Sequence, residues 1–271
     1  MKVEHRVNYN LLKLGRKVYI LKNMNAIEIR NLTKKYKDFT LDNISFDVPE
    51  GKVVGLVGEN GAGKTTIIRS IMGSCHYNSG SVSVLGVDNT KDLEFAEIKQ
   101  SVGIVLDEAC LPVLKVKDME PIFRAAYKNW DHEKYVQLIK EFELPLKKSL
   151  RQISRGQKMK LALALALSHR AKLLVLDEPT GGLDPLVRDE IVEILSQFAH
   201  EQGNSILFSS HIISDIQKIC DYVAYIHHGK ILFYEQKDAV MAKVQEKGFE
   251  NLEEYIIWCA KEAKKNESAV N

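Results

Sequence analysis

The sequence has few cysteines, and their positions exclude two classes of protein. Cys75, Cys110, Cys220 and Cys259 are far apart and form no C-x-x-C pair. This spacing offers no zinc site, and a chain of 271 residues can bury a core large enough to need no disulfide framework. The four thiols are therefore expected to be reduced, as in a cytosolic protein.

Long apolar runs are also absent. No stretch of the sequence approaches the about 18 consecutive apolar residues that a transmembrane helix needs. The N-terminus lacks the continuous apolar core of a signal peptide. Any role at a membrane is then expected to come through a partner chain. The net charge of only +2 gives no indication of a nucleic-acid partner.

The positive charge is concentrated in the first 24 residues. They hold six Lys or Arg residues and one Glu, a net charge of +5, so the rest of the chain carries −3 of the total of +2. Leu11, Leu14, Val18 and Leu21 fall at helical spacing, as in a basic amphipathic helix on a membrane surface. A disordered leader is the favoured interpretation, since Met24 directly precedes a natural beginning for the fold.

Short apolar runs alternate with helical segments along the rest of the chain. This alternation predicts an α/β fold with a mostly parallel sheet and helices on its faces. Residues 25–265 are expected to form one domain with a small helical lobe at about 109–170, followed by a tail at 266–271. The expected strands are residues 27–31, 53–57, 102–106, 173–176, 205–209 and 222–227, and the expected helices are residues 64–72, 131–143, 157–169, 186–201 and 251–264.

Residues 58–66, GENGAGKTT, lie between an expected strand and an expected helix. They match G-x-x-x-x-G-K-[ST], the phosphate-binding P-loop. The glycines let successive backbone N–H groups point at phosphate oxygens, and the helix N-terminus adds its dipole. Lys64 would reach the β- and γ-phosphates, and the Thr65 hydroxyl would bind Mg²⁺. A glycine-rich strand-to-helix turn without a ligand is the alternative.

A second motif narrows the enzyme class. The apolar strand expected at 173–176 leads directly into Asp177 and Glu178. In P-loop enzymes an Asp at this place holds Mg²⁺, often through water. The adjacent Glu is placed to orient or deprotonate the attacking water. The sequence has no N-K-x-D motif for reading guanine, which argues against a GTPase.

Residues 25–265 resemble the nucleotide-binding subunits of ATP-binding-cassette (ABC) transporters, because several further motifs follow in the order that this family has. Tyr36 lies where the family has an aromatic ring that stacks on adenine, and ISRGQ (153–157) lies at its signature position. GGLD (181–184) matches the loop that crosses the dimer interface, and His211 matches the switch histidine that senses the γ-phosphate. The resemblance implies a P-loop fold that also has an antiparallel β portion.

The resemblance implies ATP and Mg²⁺ as ligands and ATP hydrolysis coupled to transport as the activity. It implies a head-to-tail dimer with ATP between the P-loop of one subunit and the signature of the other, which is a second copy or a paralogue. The chain would be soluble, act on separate transmembrane subunits at the cytoplasmic face of the membrane, and bind no nucleic acid. The expected catalytic residues are Glu178, His211 and Lys64; the expected metal ligands are Thr65, Asp177 and Asp107; the expected nucleotide contacts are Tyr36, Gly58, Glu59, Asn60, Gly61, Ala62, Gly63, Lys64, Thr65, Thr66, Ser154, Arg155, Gly156, Gln157 and Asp184.

Two residues depart from the family's usual pattern. Arg155 stands where the signature usually has glycine, and Asp107 stands where a glutamine usually contacts Mg²⁺. In both departures the sequence resembles the exporter-type subunits of bacterial drug, bacteriocin and peptide efflux systems. This resemblance favours export. Two other classes stay open: a module that binds nucleotide and regulates a partner without hydrolysis, and an ABC ATPase that works outside transport. Glu178 and His211 argue against the first class, and the lack of coiled-coil insertions, zinc modules or a second cassette argues against the other.

Overall fold

The computed structural model describes residues 10–14, 17–21, 25–106, 113–201 and 203–270. Within these ranges the strands are β1 Asn10–Leu14, β2 Lys17–Leu21, β3 Asn25–Lys35, β4 Thr40–Pro49, β5 Val53–Val57, β6 Ser79–Val84, β7 Val87–Asp88, β8 Val102–Val105, β9 Leu173–Asp177, β10 Ser205–Ser210, β11 Tyr222–His227 and β12 Lys230–Gln236. The helices are α1 Lys64–Ile71, α2 Asp92–Lys99, α3 Val116–Ala126, α4 His132–Glu141, α5 Arg155–Leu167, α6 Pro185–His200, α7 Ile213–Ile219, α8 Lys237–Glu246 and α9 Leu252–Val270.

The central sheet has six strands in the order β12-β11-β5-β10-β9-β8. The five strands from β11 to β8 are parallel, and β12 pairs with β11 in the antiparallel sense. This arrangement confirms the predicted α/β fold with a mostly parallel sheet. The carboxyl ends of parallel strands share one edge of a sheet, so the chain segments that follow Val57, Asp177 and Ser210 meet at that edge.

A second sheet supplies the antiparallel β portion that the family resemblance implies. It has four strands in the order β4-β3-β6-β7, all paired antiparallel. Alternate residues of β5 point to different cores, as strand geometry requires. Val54 and Leu56 pack in the core shared with α1 and the second sheet, whereas Val53 and Val57 pack in the core shared with α5 to α9.

The helical lobe has a hydrophobic core of its own. Tyr135 and Leu138 of α4 pack there against Leu161 and Leu165 of α5, with residues of α3 and the loop that precedes α5. Asp131 caps the start of α4, since its carboxylate accepts a hydrogen bond from the backbone N–H of Lys134 at 3.0 Å. Among the residues predicted for this lobe, 109–112 lie outside the described part of the chain.

Near the N-terminus the structure differs from the sequence expectation. β1 and β2 pair as an antiparallel hairpin, with Leu12 opposite Tyr19 and Lys13 opposite Val18. Branched and aromatic side chains such as those of β2 favour strands, and apolar residues that fit a helical spacing also fit two short strands. The expectation of a helix or of disorder is therefore wrong for residues 10–14 and 17–21.

We expect a chain that begins at Met24 to retain its melting temperature within about 2 °C, and to retain the rate of the ATP hydrolysis that the family resemblance implies. Among the described strands, β1 and β2 pair only with each other and with neither large sheet. Thermal unfolding of the shortened and full chains checks this. A melting temperature that falls by more than about 5 °C would show that residues 1–23 stabilise the fold. If the shortened chain kept its stability but no longer associated with membranes, residues 1–23 would instead be assigned to binding at a membrane surface.

Candidate nucleotide-binding site

The P-loop leaves β5 at Val57 and enters α1 at Lys64. Gly63, the N-cap of α1, has a φ of +113°, and a Cβ at this position would lie 2.5 Å from Cδ2 of Leu41. Only glycine fits this conformation and this space. No side chain of the described residues caps the start of α1. The first N–H groups of the helix therefore point toward the loop, where they can bind phosphate oxygens.

Lys64 connects the P-loop to the end of β9. Its side chain is buried, and its ammonium group donates hydrogen bonds to the carbonyl oxygens of Gly58 at 2.6 Å and Glu59 at 3.1 Å. The same Nζ lies 3.0 Å from Oε1 of Glu178. A buried cation is costly unless it is paired, so these three contacts fix the position of Lys64.

Ser209 fixes the two acidic residues at the end of β9. The register of β9 and β10 places Ser209 beside Asp177. The Ser209 hydroxyl donates to Oδ1 of Asp177 at 2.6 Å and accepts from the backbone N–H of Glu178 at 2.9 Å. Sequence reasoning missed this serine, although it stands in the SSH segment that contains the switch histidine.

Glu178 also contacts His211, so the three expected catalytic residues lie in one chain of contacts. Nδ1 of His211 lies 2.7 Å from Oε2 of Glu178, while Lys64 approaches the other carboxylate oxygen. Glu178 has a φ of +49°, in the left-handed region that residues other than glycine seldom adopt. Such backbone strain is common at functional sites because the surroundings hold the side chain in a required direction.

A buried network ties the loop after Glu178 to the helix after His211. The Asp215 carboxylate, on α7, accepts hydrogen bonds from the Thr180 hydroxyl at 2.6 Å and from Nε of Arg188 at 2.7 Å. Asp215 is only 1% exposed, so these partners compensate for its burial. Sequence reasoning missed this network, because nothing in the spacing of the three residues shows that they meet.

The signature residues form a capping box at the start of α5. The Ser154 hydroxyl accepts from the backbone N–H of Gln157 at 3.1 Å, and the Gln157 side chain accepts from the Ser154 N–H at 3.1 Å. Arg155 is exposed, and its guanidinium lies against the loop at 181–184, since a Cβ at Gly182 would be 3.1 Å from Nη1. The signature and this loop therefore touch within one chain.

Gly156 allows α5 to pack closely on α6, because a Cβ at Gly156 would lie 2.7 Å from Cγ1 of Val187. We expect Gly156→Ala to lower the free energy of unfolding by about 1–3 kcal/mol through overpacking. Val187→Ala in the same chain removes the clashing methyl group and should recover most of this loss. Urea unfolding of both single variants and the double variant checks the prediction, and an unchanged midpoint for Gly156→Ala would contradict it.

Tyr36 lies in the turn after β3, next to the P-loop helix. Its ring is 47% exposed, and its hydroxyl lies 3.4 Å from Sγ of Cys75 and close to the Thr66 side chain. The hydrogen bond with Cys75 raises the pKa of Tyr36, so the ring is neutral at physiological pH. A neutral, half-exposed ring at this place can stack on a nucleotide base.

Three further residues that were expected to bind nucleotide or Mg²⁺ are Asp184, Thr65 and Asp107. Asp184 caps α6, where its carboxylate accepts from the N–H of Val187 at 3.1 Å and Pro185 takes the first helical position. Thr65 is exposed on the first turn of α1, and Asp107 lies outside the described residues. Among described residues no three His, Cys, Asp or Glu side chains cluster as a metal site. A hydroxyl and one carboxylate nevertheless fit Mg²⁺, which usually binds through few protein oxygens together with substrate phosphates.

The site combines a phosphate-binding loop with an acidic pair at the end of β9 and a histidine directly after β10. Together these features define a P-loop ATPase. The family described as ABC transporter matches residues 41–181, and the chain belongs to that family as an ATP-binding subunit. Lantibiotic transport ATP-binding protein SrtF of Streptococcus pyogenes is 34% identical over 243 residues, covering 84% of this chain and 94% of the relative. Bacitracin transport ATP-binding protein BcrA of Bacillus licheniformis is 32% identical over 210 residues, covering 76% of this chain and 68% of the relative.

Solved structures show the same fold. A structure of an ATP-binding subunit of an ABC transporter superposes with a TM-score of 0.75 at 25% identity, covering 86% of this chain and 99% of the other. An ATP-binding cassette solved as a dimer in a post-hydrolysis state with ADP and Pi gives a TM-score of 0.69 at 23% identity, covering 78% and 98%. In the described part of this chain, no helix has the length and apolar character needed to cross a membrane.

Proposed function

We propose that this ATPase subunit drives an exporter by acting on separate transmembrane subunits at the cytoplasmic face of the membrane. The observation that carries ATP hydrolysis, the driving step of this proposal, is the contact chain Lys64–Glu178–His211 at the end of the P-loop. It joins a phosphate-binding cation, a general base and a side chain that can sense the γ-phosphate. A nucleotide-binding module that never hydrolyses ATP would not need a general base such as Glu178 or a sensor of the γ-phosphate such as His211.

The roles of the residues follow from their positions. The P-loop N–H groups and Lys64 bind the β- and γ-phosphates, and Tyr36 stacks on adenine. Lys64 then exchanges the Glu178 carboxylate for phosphate oxygens, which releases Glu178 to accept a proton from the attacking water. His211, through its hydrogen bond to Glu178, holds that carboxylate in place. Thr65 and Asp177 would hold Mg²⁺, which would supply positive charge to the phosphates.

A second subunit completes the site in this proposal. The signature residues Ser154, Arg155 and Gly156 begin α5, and a helix N-terminus favours a negative ligand. In a head-to-tail dimer this end faces the ATP held by the partner's P-loop, with Arg155 as an added cation. Asp107 remains a proposed ligand of Mg²⁺. ATP binding closes the dimer, and hydrolysis reopens it.

The relatives that act in lantibiotic and bacitracin transport support a peptide antibiotic as the cargo. The test is the minimum inhibitory concentration of bacitracin and of a lantibiotic for cells that carry the chain or its Glu178→Gln variant. We expect a lower inhibitory concentration for at least one peptide when only the variant is present. Equal susceptibility and equal peptide efflux in the two strains would contradict export and favour an ABC ATPase outside transport.

A further inference from the structure

One buried carboxylate holds the chain on both sides of the loop at 181–184. The Thr180 hydroxyl, directly before this loop, donates to Oδ2 of Asp215 at 2.6 Å. Arg188, four residues after the loop on α6, donates from Nε to Oδ1 of the same carboxylate at 2.7 Å. Each bond uses a different carboxylate oxygen, so the two sides of the loop are fixed at a single point.

The network lies away from water. Thr180 and Asp215 are each only 1% exposed, and the Arg188 side chain, 27% exposed, brings its positive charge against the buried carboxylate. A buried carboxylate that loses a donor is left with an unsatisfied charge, and this costs more than it would at the surface. The three side chains are therefore expected to keep their mutual positions when the structure around them moves.

Asp215 stands on the same short segment as His211. It belongs to α7, which begins two residues after His211. The Ser210 hydroxyl accepts a hydrogen bond at 2.9 Å from the backbone N–H two residues later, which closes a tight turn around His211. Ile216 is fully buried and packs so closely on β5 that a Cβ at Gly55 would lie 2.6 Å from its Cδ1. The segment is thus held on both sides, and a shift of the Asp215 carboxylate would also move the His211 ring.

We propose that Asp215 is a positioning residue for ATP hydrolysis, which acts by setting the contact between His211 and Glu178. The inference rests on the hydrolysis mechanism of the proposed function. Nδ1 of His211 lies 2.7 Å from Oε2 of Glu178, and Thr180 follows Glu178 by two residues. Asp215 therefore holds both sides of this contact, one through the Thr180 hydroxyl and the other through α7.

The chemistry of the network favours this role over a general contribution to stability. The His211 side chain is 46% exposed, so packing in the core does little to fix its direction. The buried side chain of Ile216 already anchors α7 to the core, and a buried ion pair adds little net stability to such an anchor. The hydrogen bonds of Asp215 add a preferred direction as well as a distance, which a catalytic contact requires.

The test removes the Thr180 hydroxyl in the full chain and measures phosphate release over a range of ATP concentrations. Thr180→Val keeps the shape of the side chain without the donor, and we expect kcat to fall by about tenfold or more, because misplaced catalytic groups lose rate steeply. The KM for ATP should change by less than about twofold, since the P-loop contacts remain. Thr180→Ser retains the hydroxyl and should keep kcat within about threefold of the wild type.

A matched control and a second background separate positioning from a loss of folded protein. Thr90→Val is the control and should match the wild type, because the Thr90 hydroxyl also donates to a carboxylate, that of Asp88 at 2.7 Å, in an exposed turn. Titration with a fluorescent ATP analogue counts the ATP-binding sites, so that kcat is given per folded site. In a His211→Ala chain, followed by single-turnover assays over hours, Thr180→Val should lower the residual rate by less than about twofold. Losses that multiply in the double variant would show that Thr180 acts independently of His211 and would overturn the role.

The His211 ring gives a further readout that needs no turnover. In proton–carbon spectra of the chain with ¹³C-labelled histidine, the His211 signal is the one that His211→Ala removes. Thr180→Val and Asp215→Asn should both shift this signal, since each breaks a hydrogen bond of the network, whereas Thr180→Ser and Thr90→Val should leave it in place.

Three results with an active wild type would each overturn the positioning role alone. They are an unchanged kcat in Thr180→Val, a His211 signal that Thr180→Val does not shift, and a Thr180→Ser chain as slow as Thr180→Val. A wild type that binds ATP without hydrolysing it would overturn the proposed function and the positioning role together.

Discussion

Glu178→Gln is expected to slow ATP hydrolysis by roughly 10²–10⁴-fold, while ATP remains bound. The amide keeps the shape of the side chain and its contact with His211 but cannot take a proton from water. Its neighbours hold Glu178 in a strained left-handed conformation, with Ser209 bonded to its backbone N–H. The position is therefore built to direct one carboxylate rather than to tolerate any polar group.

Two measurements separate binding from chemistry in that variant. Phosphate release at saturating ATP gives the rate, and equilibrium binding of a fluorescent ATP analogue gives the affinity. Glu246→Gln, an exposed substitution at the end of α8, is the control and should match the wild type in both. Wild-type turnover in Glu178→Gln would remove Glu178 from the role of general base.

Lys64→Ala is expected to weaken ATP binding and to lower hydrolysis by roughly 10²–10³-fold. The ammonium group is the cation that the P-loop holds by two carbonyl oxygens and the Glu178 carboxylate. Its loss removes a charge-assisted contact to the transferred phosphate and leaves Glu178, with a side chain only 17% exposed, without that partner.

The Lys64→Ala prediction is checked with the same binding and turnover assays. Lys91→Ala is the matched control, because the Lys91 side chain is 61% exposed at the start of α2 and its Nζ lies 4.0 Å from the Glu94 carboxylate. Unchanged ATP affinity together with unchanged turnover in Lys64→Ala would contradict the assignment of residues 58–66 as the phosphate-binding loop.

The sequence predicted the parts of the fold and site that depend on neighbours along the chain. The P-loop and the Asp-Glu pair are local patterns, and each lies where the sequence placed it, between a strand and a helix for the P-loop and at the end of β9 for the pair. The strand β4 was not predicted, although Ile44, Phe46 and Val48 alternate in the way that a half-buried strand requires.

What sequence reasoning missed depends on contacts between distant segments. Ser209 meets Asp177 across neighbouring strands, and Asp215 meets Thr180 and Arg188 from a different helix. Nothing in the separation of these residues along the chain shows that they meet. In residues 10–21 the apolar pattern fits both an amphipathic helix and two short strands. The structure has the strands, in agreement with the β preference of branched residues such as Val18.

The most direct test of the account is a single-turnover experiment with the wild-type chain in excess over radiolabelled ATP and with Mg²⁺ present. Nucleotide recovered after quenching is separated into ATP and ADP. We expect conversion to ADP in the wild type, and recovery of ATP both with a chelator and in Glu178→Gln. ATP that remains intact in the wild type with Mg²⁺ present, although it is bound, would contradict the account and identify a module that binds nucleotide without hydrolysing it.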